Sequence, residues 1–378
     1  MKIRDIETIP VFGGGRDWVF VRVHTDEGLI GTGEGTLEGR ARAIVAAVEE
    51  LKDCLLGEDP LRIEHLWQIM YRHAFYRGGP VMNSAISGVE QALWDIFGKS
   101  VGLPVHQLLG GRVRDRIRVY ANGPRGGTAE EIAESALALT ERGYTAMKLV
   151  PFGPTKPLDG IAAIRRVAKI MEAVRRAVGP DVDIAVDAHG RLSPAMAIQM
   201  GQAIREYGVF FFEEPCLPEN ASAMATVARE CGIPVATGER LFTKGGVREG
   251  LENGAAALLQ PDLAHCGGIM EGRKIAAMAE VHYVGFAPHN PLSPVNMRAL
   301  LHLDVVAPNF VIQEWVSDDP PWRDEILLNP VVVKDGWVDV PMEPGLGSDL
   351  DLEVCRAHPA RSIHLPVLWH DDGSVADW

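Results

Sequence analysis

The chain has 378 residues, 47% of them hydrophobic and 23% charged, a composition typical of a globular protein with a sizeable core. Its net charge of −14, without a long basic run, argues against a nucleic-acid partner, because phosphate backbones are bound by clustered lysine and arginine. No apolar run approaches the ~18 residues that a membrane helix requires, so we expect no membrane partner.

The five cysteines are scattered and form no Cys-x-x-Cys pair, which argues against a structural zinc site and against a disulfide framework. The first residues, MKIRDIETIPVF, carry charges throughout and lack the apolar segment of a signal peptide. We therefore expect a cytoplasmic protein.

Residues 1–115 have the pattern of an α+β domain. The segment DWVFVRVHTDEGLIGTGEG predicts two strands joined by a turn at 26–28, and helical periodicity follows in RARAIVAAVEELKDCLL and NSAISGVEQALWDIFGKS. Gly31-x-Gly33-x-Gly35 lacks the full spacing and the following helix of a dinucleotide-binding motif, which argues against that function.

Two segments of this domain are candidate lids over a bound ligand. The tip GGGRDW, residues 13–18, combines flexible glycines with a cation, Arg16, and an aromatic ring, Trp18; an ordinary surface turn is the alternative. Tyr76 and its neighbour Arg77 form the second candidate. We expect Arg16, Trp18 and Tyr76 to contact a ligand bound beneath these segments.

From residue 116 to residue 339, short apolar runs alternate regularly with helical segments. The eight candidate strands are RIRVYA, AMKLV, IAVDA, VFFFEEP, IPVATGE, ALLQPD, VGFAPH and FVIQEW. This alternation predicts an α/β fold with a parallel (β/α) barrel, and an open doubly wound sheet is the alternative. The tail, residues 340–378, is rich in loops, and we expect it to pack back on the first domain.

Ionisable residues stand at the ends of the last six candidate strands, 23 to 27 residues apart. They are Asp187, Glu213, Glu239, Asp262, His289 and Glu314. Any one of them could be a solvated loop residue or a helix N-cap. Because the active sites of such barrels lie at the carboxyl ends of the strands, six in succession indicate a site.

Three of these residues are carboxylates on consecutive strands, which predicts a metal site. Asp187, Glu213 and Glu239 would repel each other at one mouth and raise each other's pKa unless a cation neutralised them. Ligation by oxygen alone favours Mg²⁺, or Mn²⁺, over zinc. A cation with three protein ligands keeps positions for water and substrate, which is typical of a catalytic metal.

Two histidines flank this predicted metal site. His289 and Asp262 lie at adjacent strand ends, where the carboxylate would orient the imidazole and raise its basicity. His189 is two residues after Asp187, so strand alternation places both side chains on one face. We therefore expect one histidine on each side of the metal.

These residues lie in motifs that resemble those of the enolase superfamily, and specifically of its mandelate-racemase-like group. The matching motifs are VDAHGR, FFEEP, TGER, LLQPDLAHCGGI, APHNPLSP and IQEW. The similarity continues through residues 1–115 and so covers nearly the whole chain. It implies a modified (β/α)₇β barrel of TIM type with an α+β capping domain formed from both chain ends, and Mg²⁺ on Asp187, Glu213 and Glu239.

The resemblance also implies the catalytic roles. The Asp262–His289 dyad would remove the α-proton of an acid sugar, as the Lys or His bases of this superfamily do beside Mg²⁺. His189 would act as general acid on the departing 3-hydroxyl, and Glu314 would hydrogen-bond the substrate carboxylate. The resemblance further implies a homo-oligomer, from dimer to octamer.

Within the group, the sequence most resembles the D-galactonate dehydratases, which implies loss of water from an aldonate to give a 2-keto-3-deoxy acid. D-Mannonate or D-gluconate dehydratase is the alternative, and a cycloisomerase or epimerase would use the same enediolate. A metal-binding barrel without activity is disfavoured, because a binding protein has no use for a general base.

One departure from the group bears on the reaction. Several members carry Lys-x-Lys on the second barrel strand, whereas this chain has Lys148-Leu149-Val150. A racemase with a lysine base is therefore disfavoured, and His189 is the one base candidate opposite His289. Lys148 and Arg191 complete the candidate substrate-binding residues.

Overall fold

The computed structural model describes residues 1–316 and 320–377, and the chain begins with a three-stranded antiparallel sheet in the order β1-β2-β3. Its strands are β1 (Ile3–Phe12), β2 (Asp17–Thr25) and β3 (Ile30–Glu34). The helices that follow are α1 (Ala41–Leu55), α2 (Ile63–Arg72), α3 (Pro80–Val101) and the short α4 (Val105–Leu108). The strand pair joined near residue 27 and the two helices predicted from periodicity are therefore present.

Two glycines of β3, and Gly35 directly after it, allow this strand to lie directly on α3. A Cβ at Gly31 would come 2.0 Å from the carbonyl oxygen of Ala92, and one at Gly33 would come 2.2 Å from that of Gly88. At Gly35 the nearest oxygen would be 2.8 Å away. Close packing of strand on helix, rather than a bound nucleotide, accounts for the repeated glycines.

Eight short strands and seven helices alternate through the next part of the chain. The strands are β4 (Arg116–Asn122), β5 (Ala146–Leu149), β6 (Asp183–Asp187), β7 (Val209–Glu213), β8 (Val235–Thr237), β9 (Leu258–Leu259), β10 (Gly285–Phe286) and β11 (Gln313–Trp315). The helices between them are α5 (Ala129–Glu141), α6 (Ile161–Val178), α7 (Pro194–Ile204), α8 (Ala221–Glu230), α9 (Thr243–Asn253), α10 (Ile269–Val281) and α11 (Pro294–Asp304).

The local sequence explains these helices. Thr128 and Glu131 form a capping box that satisfies the first backbone N–H groups of α5. Helix α6 buries an apolar stripe with helical spacing, made of Val167, Ile170, Met171 and Val174. No helix among the described residues is both long and apolar enough to cross a membrane.

The eight strands form a closed parallel barrel. Strands β4 to β10 pair in chain order, and β11 pairs with β4 in parallel. The remaining gap is closed by backbone contacts between β10 and the residues that lead into β11, since Val311 N donates to Phe286 O at 2.8 Å. The (β/α)₇β barrel predicted from the sequence is confirmed, and the open doubly wound sheet is excluded.

The N-terminal sheet and α3 cover the carboxyl end of the barrel. Gln91 Nε2 on α3 donates to Leu263 O at 3.2 Å and to Asn296 Oδ1 at 3.1 Å, and both partners belong to barrel segments. Glu34, at the end of β3, accepts from the backbone N–H of Asn296 at 2.9 Å. These buried contacts fix the cover over the strand ends.

The C-terminal part contacts both the barrel and the N-terminal sheet. It contains β12 (Val333–Lys334), β13 (Trp337–Asp339), α12 (Leu352–Ala357), β14 (Leu368–Trp369) and β15 (Val375–Ala376). Strand β13 pairs with β4 in antiparallel orientation, while Phe12 N donates to His358 O at 2.8 Å. Asp17 accepts from the backbone N–H groups of Arg361 and Ile363, each at 2.9 Å. The boundaries of the three predicted domains stay a prediction.

Candidate active site

A cavity of about 770 Å³ lies at the carboxyl ends of the barrel strands, under the N-terminal sheet. Its ionisable lining residues are Arg16, Glu38, Arg125, Lys148, Asp187, His189, Glu219, Glu239, Arg240, His265, His289 and Glu314. Of the seven residues predicted for metal binding and catalysis, five line the cavity. The other two, Glu213 and Asp262, are buried directly behind its wall.

The polar site is one layer of the barrel interior. The layer below it is a buried apolar cluster with one residue from each strand or its flank: Tyr120, Ala146, Ala185, Phe211, Ala236, Leu258, Ala287 and Ile312. Because strand side chains alternate, the next inward positions lie two residues further along. Those positions hold Asn122, Lys148, Asp187, Glu213, Gly238, Gln260, His289 and Glu314. An apolar floor therefore carries an almost wholly polar layer.

Lys148 is the cation at the centre of this layer. Its ammonium group bonds to Glu213, lies 3.0 Å from Glu314 Oε1 and lies 3.5 Å from Asp187 Oδ2. The side chain is buried, yet the pKa of Lys148 is well above its usual value, because these carboxylates outweigh the effect of burial. Lys148 therefore holds together carboxylates that would otherwise repel each other.

Asp187 and His189 are joined by a turn rather than by strand alternation. Strand β6 ends at Asp187, and His189 has a left-handed backbone with φ of 51°. The turn is closed by a hydrogen bond from His189 N to Asp187 Oδ1 at 2.8 Å, and it returns His189 Nε2 to 3.0 Å from Asp187 Oδ2. The two side chains meet as predicted, although for a different reason.

Arg191 fixes the tautomer of His189. Arg191 Nη2 lies 3.1 Å from His189 Nδ1, and a guanidinium can only donate, so Nδ1 accepts. The proton of the neutral imidazole is therefore on Nε2. Arg191 also donates to the carbonyl oxygens of Ala188 and Phe152, so it acts on His189 from a fixed position.

His289 lies between two carboxylates. Its Nδ1 is 2.9 Å from Asp262 Oδ2, and its Nε2 is 3.0 Å from Glu239 Oε2. Burial alone lowers the pKa of His289, but Glu239, Glu314 and the Asp262 hydrogen bond raise it well above the usual value. Correspondingly, His289 outweighs the effect of burial on Glu239 and lowers the pKa of that carboxyl to about 2. Asn296 Nδ2 donates to the other oxygen of Asp262 at 3.1 Å and so holds the dyad in place.

Glu239 reaches the site because the residue before it has no side chain. Gly238, directly after β8, occupies the next inward position, and a Cβ there would come 2.7 Å from Gln260 N. The φ of Gly238, 148°, also suits glycine, and Glu239 then turns to His289. The pattern of polar strand ends in the sequence identified Glu239. Regular alternation would not have done so, because the inward positions here are Ala236 and Gly238.

The three predicted metal ligands have the donor chemistry for a hard divalent cation. Asp187 and Glu213 are register partners on adjacent strands, and β8 follows next to them. Burial, together with the charges of Asp187 and its neighbours, raises the pKa of Glu213 well above its usual value, in spite of Lys148. An additional cation would relieve this repulsion.

In this structure the three carboxylates form ion pairs with protein side chains. Lys148 contacts Asp187 and Glu213, and Glu239 contacts His289. Within residues 1–316 and 320–377, no three carboxylate, imidazole or thiol groups are close enough to hold a cation as they stand. Metal binding would therefore require Glu239 to exchange its histidine partner for the cation.

Glu214, next to Glu213 in sequence, is directed away from the polar layer, as alternation predicts. It is fully buried and accepts from Arg240 Nη2 at 2.5 Å, and also from the Thr237 hydroxyl. Arg240 lines the cavity but is held by this pair. Glu214 and Arg240 therefore support the strand end that carries Glu239.

The structure brings only some of the predicted substrate-binding residues to the cavity. Lys148 and Arg16 line it, and Arg16 is paired there with Glu38. Trp18 does not: it is 1% exposed and packs edge-on against Trp322 with ring centroids 5.7 Å apart. Tyr76 lies outside the cavity and is 88% exposed.

Four residues near the predicted catalytic and metal-binding groups are absent from the set predicted by sequence. Asn122 donates to Glu314 at 2.7 Å, Gln260 donates to Glu213 at 2.7 Å, and Asn296 donates to Asp262. His265 is the fourth and lines the cavity. The strand-end test considered only ionisable side chains, so it passed over Asn122 and Gln260, which also stand at strand ends.

Two known protein families match the chain. The "Enolase C-terminal domain-like" family matches residues 131–354, and the "Mandelate racemase / muconate lactonizing enzyme, N-terminal domain" family matches residues 14–110. The chain belongs to the enolase superfamily. The resemblance inferred from the sequence motifs is thereby confirmed.

Superfamily members with full-length similarity include named dehydratases. The chain is 42% identical over 369 residues to the D-galactonate dehydratase of Ralstonia nicotianae, and the match covers 96% of each chain. It is 43% identical over 387 residues to the D-galactonate dehydratase of Variovorax paradoxus, and that match covers 100% of each chain.

Solved structures of superfamily members have the same fold. The mandelate racemase/muconate lactonizing enzyme from Sulfitobacter sp. superimposes with a TM-score of 0.93 at 36% identity over 100% of each chain. A member of the enolase superfamily from Salmonella Typhimurium gives a TM-score of 0.90 at 34% identity, covering 95% of this chain and 98% of that one.

Proposed function

We propose that the protein is a Mg²⁺-dependent acid-sugar dehydratase that acts on an aldonate, with D-galactonate as the first candidate. It would remove the C2 proton, expel the 3-hydroxyl group and give a 2-keto-3-deoxy acid. The observation that carries the proposal is the pairing of His289 with Asp262 on one side of a carboxylate cluster and of His189 with Asp187 on the other. The identity to named D-galactonate dehydratases supports the choice of sugar.

Asp187, Glu213 and Glu239 would hold the divalent cation, Mg²⁺ or the chemically similar Mn²⁺. When bound, the cation would supply positive charge to the substrate carboxylate as the C2 proton leaves. A cation on Glu239 would also withdraw the nearest negative charge from His289 Nε2 and so lower the pKa of that imidazole. The base would then be unprotonated when it is needed.

His289 would be the base. Asp262 accepts the Nδ1 hydrogen, which leaves Nε2 to take the C2 proton. Asp262 itself is held by Asn296 Nδ2 and by the backbone N–H of Ala264, at 3.1 and 2.7 Å, so the imidazole is oriented from behind. This is the arrangement that a general base requires.

His189 would be the acid that protonates the departing 3-hydroxyl group. It follows the third barrel strand and His289 follows the seventh, so the two imidazoles enter an eight-stranded barrel from opposite sides. His189 Nε2 carries the proton of the neutral ring, because Arg191 occupies Nδ1, and in the structure this proton is directed to Asp187 Oδ2 at 3.0 Å. Lys148 would pair with the substrate carboxylate between the two histidines, and Glu314 would have to carry a proton to hydrogen-bond the same group.

The test is a panel of aldonates and aldarates, each assayed with Mg²⁺ for 2-keto-3-deoxy product. We expect turnover of D-galactonate, and turnover of D-mannonate or D-gluconate instead would change the sugar but not the reaction. Exchange of the C2 proton for deuterium without elimination would make the enzyme an epimerase or racemase. Failure to turn over every acid sugar would refute the dehydratase assignment.

A matched variant tests the assignment of the base. In His289→Asn we expect C2 exchange to be lost while Mg²⁺ binding, measured by calorimetry, is retained. Exchange that persists in this variant would show that another group is the base.

We also propose the remaining expectations as properties of this enzyme. The five free cysteines agree with a reducing compartment such as the cytoplasm. A capping domain over residues 1–115, a barrel over 116–339 and a C-terminal segment over 340–378 would form one subunit of a homo-oligomer. Size-exclusion chromatography with light scattering measures the number of subunits.

A further inference from the structure

His265 is a cavity-lining histidine that the proposed mechanism does not use. It lies in the turn after β9, where its backbone N–H donates to Asp262 O at 3.0 Å. Residues three apart in such a turn project to the same side, so the ring returns to Asp262, with Nε2 3.8 Å from Asp262 Oδ2. The residue is 8% exposed, and its exposed part faces the cavity.

The contacts of Ser84 fix the tautomer of His265. The Ser84 hydroxyl lies 2.7 Å from Pro80 O and 2.9 Å from His265 Nδ1. A carbonyl oxygen can only accept, so the single hydroxyl proton goes to Pro80. His265 Nδ1 must then donate to Ser84. Because burial lowers the pKa of His265, the ring is neutral and Nε2 carries a lone pair.

His265 Nε2 is therefore an acceptor that lacks a donor. Asp262 Oδ2, 3.8 Å away, is itself an acceptor, and this distance is too long for a hydrogen bond. Among the residues that the structure describes, none donates to this nitrogen. A nearly buried acceptor at a cavity wall needs a hydrogen from a water molecule in the cavity or from a ligand that displaces it.

The position of this acceptor relates it to the base. Asp262 Oδ2, which lies 3.8 Å from His265 Nε2, is the same oxygen that accepts from His289 Nδ1 at 2.9 Å. His265 thus faces the cavity on the side from which the C2 proton would leave. A polyol acid offers hydroxyl donors along its whole length.

We infer that His265 Nε2 accepts a hydrogen bond from one hydroxyl group of the bound acid sugar and selects substrates that carry this hydroxyl. The inference rests on the proposed function and specifies its substrate selection. A site built to bond a hydroxyl discriminates strongly against an analogue without it, because its own polar group is then left unpaired. His265 is in this sense a specificity residue.

Two substitutions separate the two ring nitrogens. In His265→Asn the amide reaches the position of Nδ1 and leaves nothing at Nε2, whereas in His265→Gln an amide oxygen reaches the position of Nε2. We expect kcat/KM on the preferred acid sugar to fall about 10- to 100-fold in His265→Asn and to stay within a few-fold in His265→Gln. Thermal unfolding of both variants controls for folding.

Deoxy analogues of the sugar identify the hydroxyl. Each analogue lacks one hydroxyl beyond C3, and we measure binding by calorimetry as well as turnover. For one analogue we expect wild type and His265→Asn to have equal kcat/KM and equal Kd, because the partner of Nε2 is gone. For the other analogues the loss in the variant should persist.

The outcomes are distinct. Equal activity of His265→Asn and wild type on the fully hydroxylated sugar overturns the inference. A uniform loss on every analogue, accompanied by slower C2 exchange, also overturns it and makes His265 a positioning residue for Asp262. If the wild type binds acid sugars without turning them over, the proposed reaction fails, and the Kd comparison still decides the role of His265. If it binds none, both fail.

Discussion

Replacing Lys148 by methionine tests the electrostatic account of the site most directly. Lys148 is 1% exposed, bonds to Glu213 and lies 3.0 Å from Glu314 and 3.5 Å from Asp187. Lys148→Met keeps most of the volume and leaves the three buried carboxylates without a cation. Removing one partner of a buried ion pair costs about 3–5 kcal/mol, so we expect a loss of that size in the free energy of unfolding without divalent metal.

This loss converts into a measurable shift in melting temperature. An unfolding entropy of about 2.1 cal/mol/K per residue gives about 0.8 kcal/mol/K for this chain, so the expected decrease in Tm is about 4–6 °C. The assay is thermal unfolding in EDTA and again with Mg²⁺. Because a cation would replace the missing charge, we expect Mg²⁺ to raise the Tm of Lys148→Met more than that of the wild type.

A surface lysine provides the matched control. Lys169 pairs with Glu130 at 3.1 Å, but both side chains are 66% exposed, and such pairs contribute little to stability. Lys169→Met should therefore melt close to the wild type with or without Mg²⁺. If Lys148→Met also melts within about 1 °C of the wild type in EDTA, or if Mg²⁺ raises both equally, the account of Lys148 is wrong.

Three further predictions concern single histidines and their partners. Asp262→Asn should reduce kcat about 10²- to 10⁴-fold in steady-state assays, because the amide no longer stabilises the His289 imidazolium. His189→Asn should retain C2 exchange, followed by NMR, while dehydration falls at least about 100-fold. Burial and the neighbouring His106 lower the pKa of His302 to about 3. Its contribution is therefore complete above pH about 6.5, and the unfolding free energy should fall by about 1.4 kcal/mol per pH unit from there down to pH about 3. Denaturant titrations of His302→Asn should show a flatter dependence.

The barrel and most of the site were predictable because each βα unit repeats the same geometry. The spacing of polar strand ends identified Asp187, Glu213 and His289, which occupy inward positions one layer above the apolar floor. Glu239 and Asp262 were also found, although they lie beyond the last inward residue of their strands. A search for acids and histidines at strand ends tolerates this irregularity, since turns after the strands can bring such residues back to the mouth.

The residue that sequence reasoning misplaced, Trp18, and one that it missed, His265, depend on contacts distant in the chain. Trp18 has the composition of a lid residue, but Trp322, more than 300 residues later, packs against its ring and buries it. His265 lies off the strand-end pattern, and its position at the cavity depends on a turn after β9 and on Ser84 of α3. Neither contact has a signal in local periodicity.

The tautomer of His189 bears on why the proposed chemistry is elimination rather than racemisation. A racemase exchanges the roles of its two bases in each direction, so the atom facing C2 must accept a proton on either side. Arg191 donates to His189 Nδ1, which keeps a proton on Nε2 whenever the ring is neutral. In this tautomer His189 Nε2 can donate a hydrogen bond to the departing 3-hydroxyl group but cannot accept a proton there, and transfer of a proton to that group requires the ring to start as the imidazolium. One base, the role proposed for His289, and one acid, the role proposed for His189, are what loss of water requires, and the absence of a second lysine after Lys148 leaves no other lysine base on that strand.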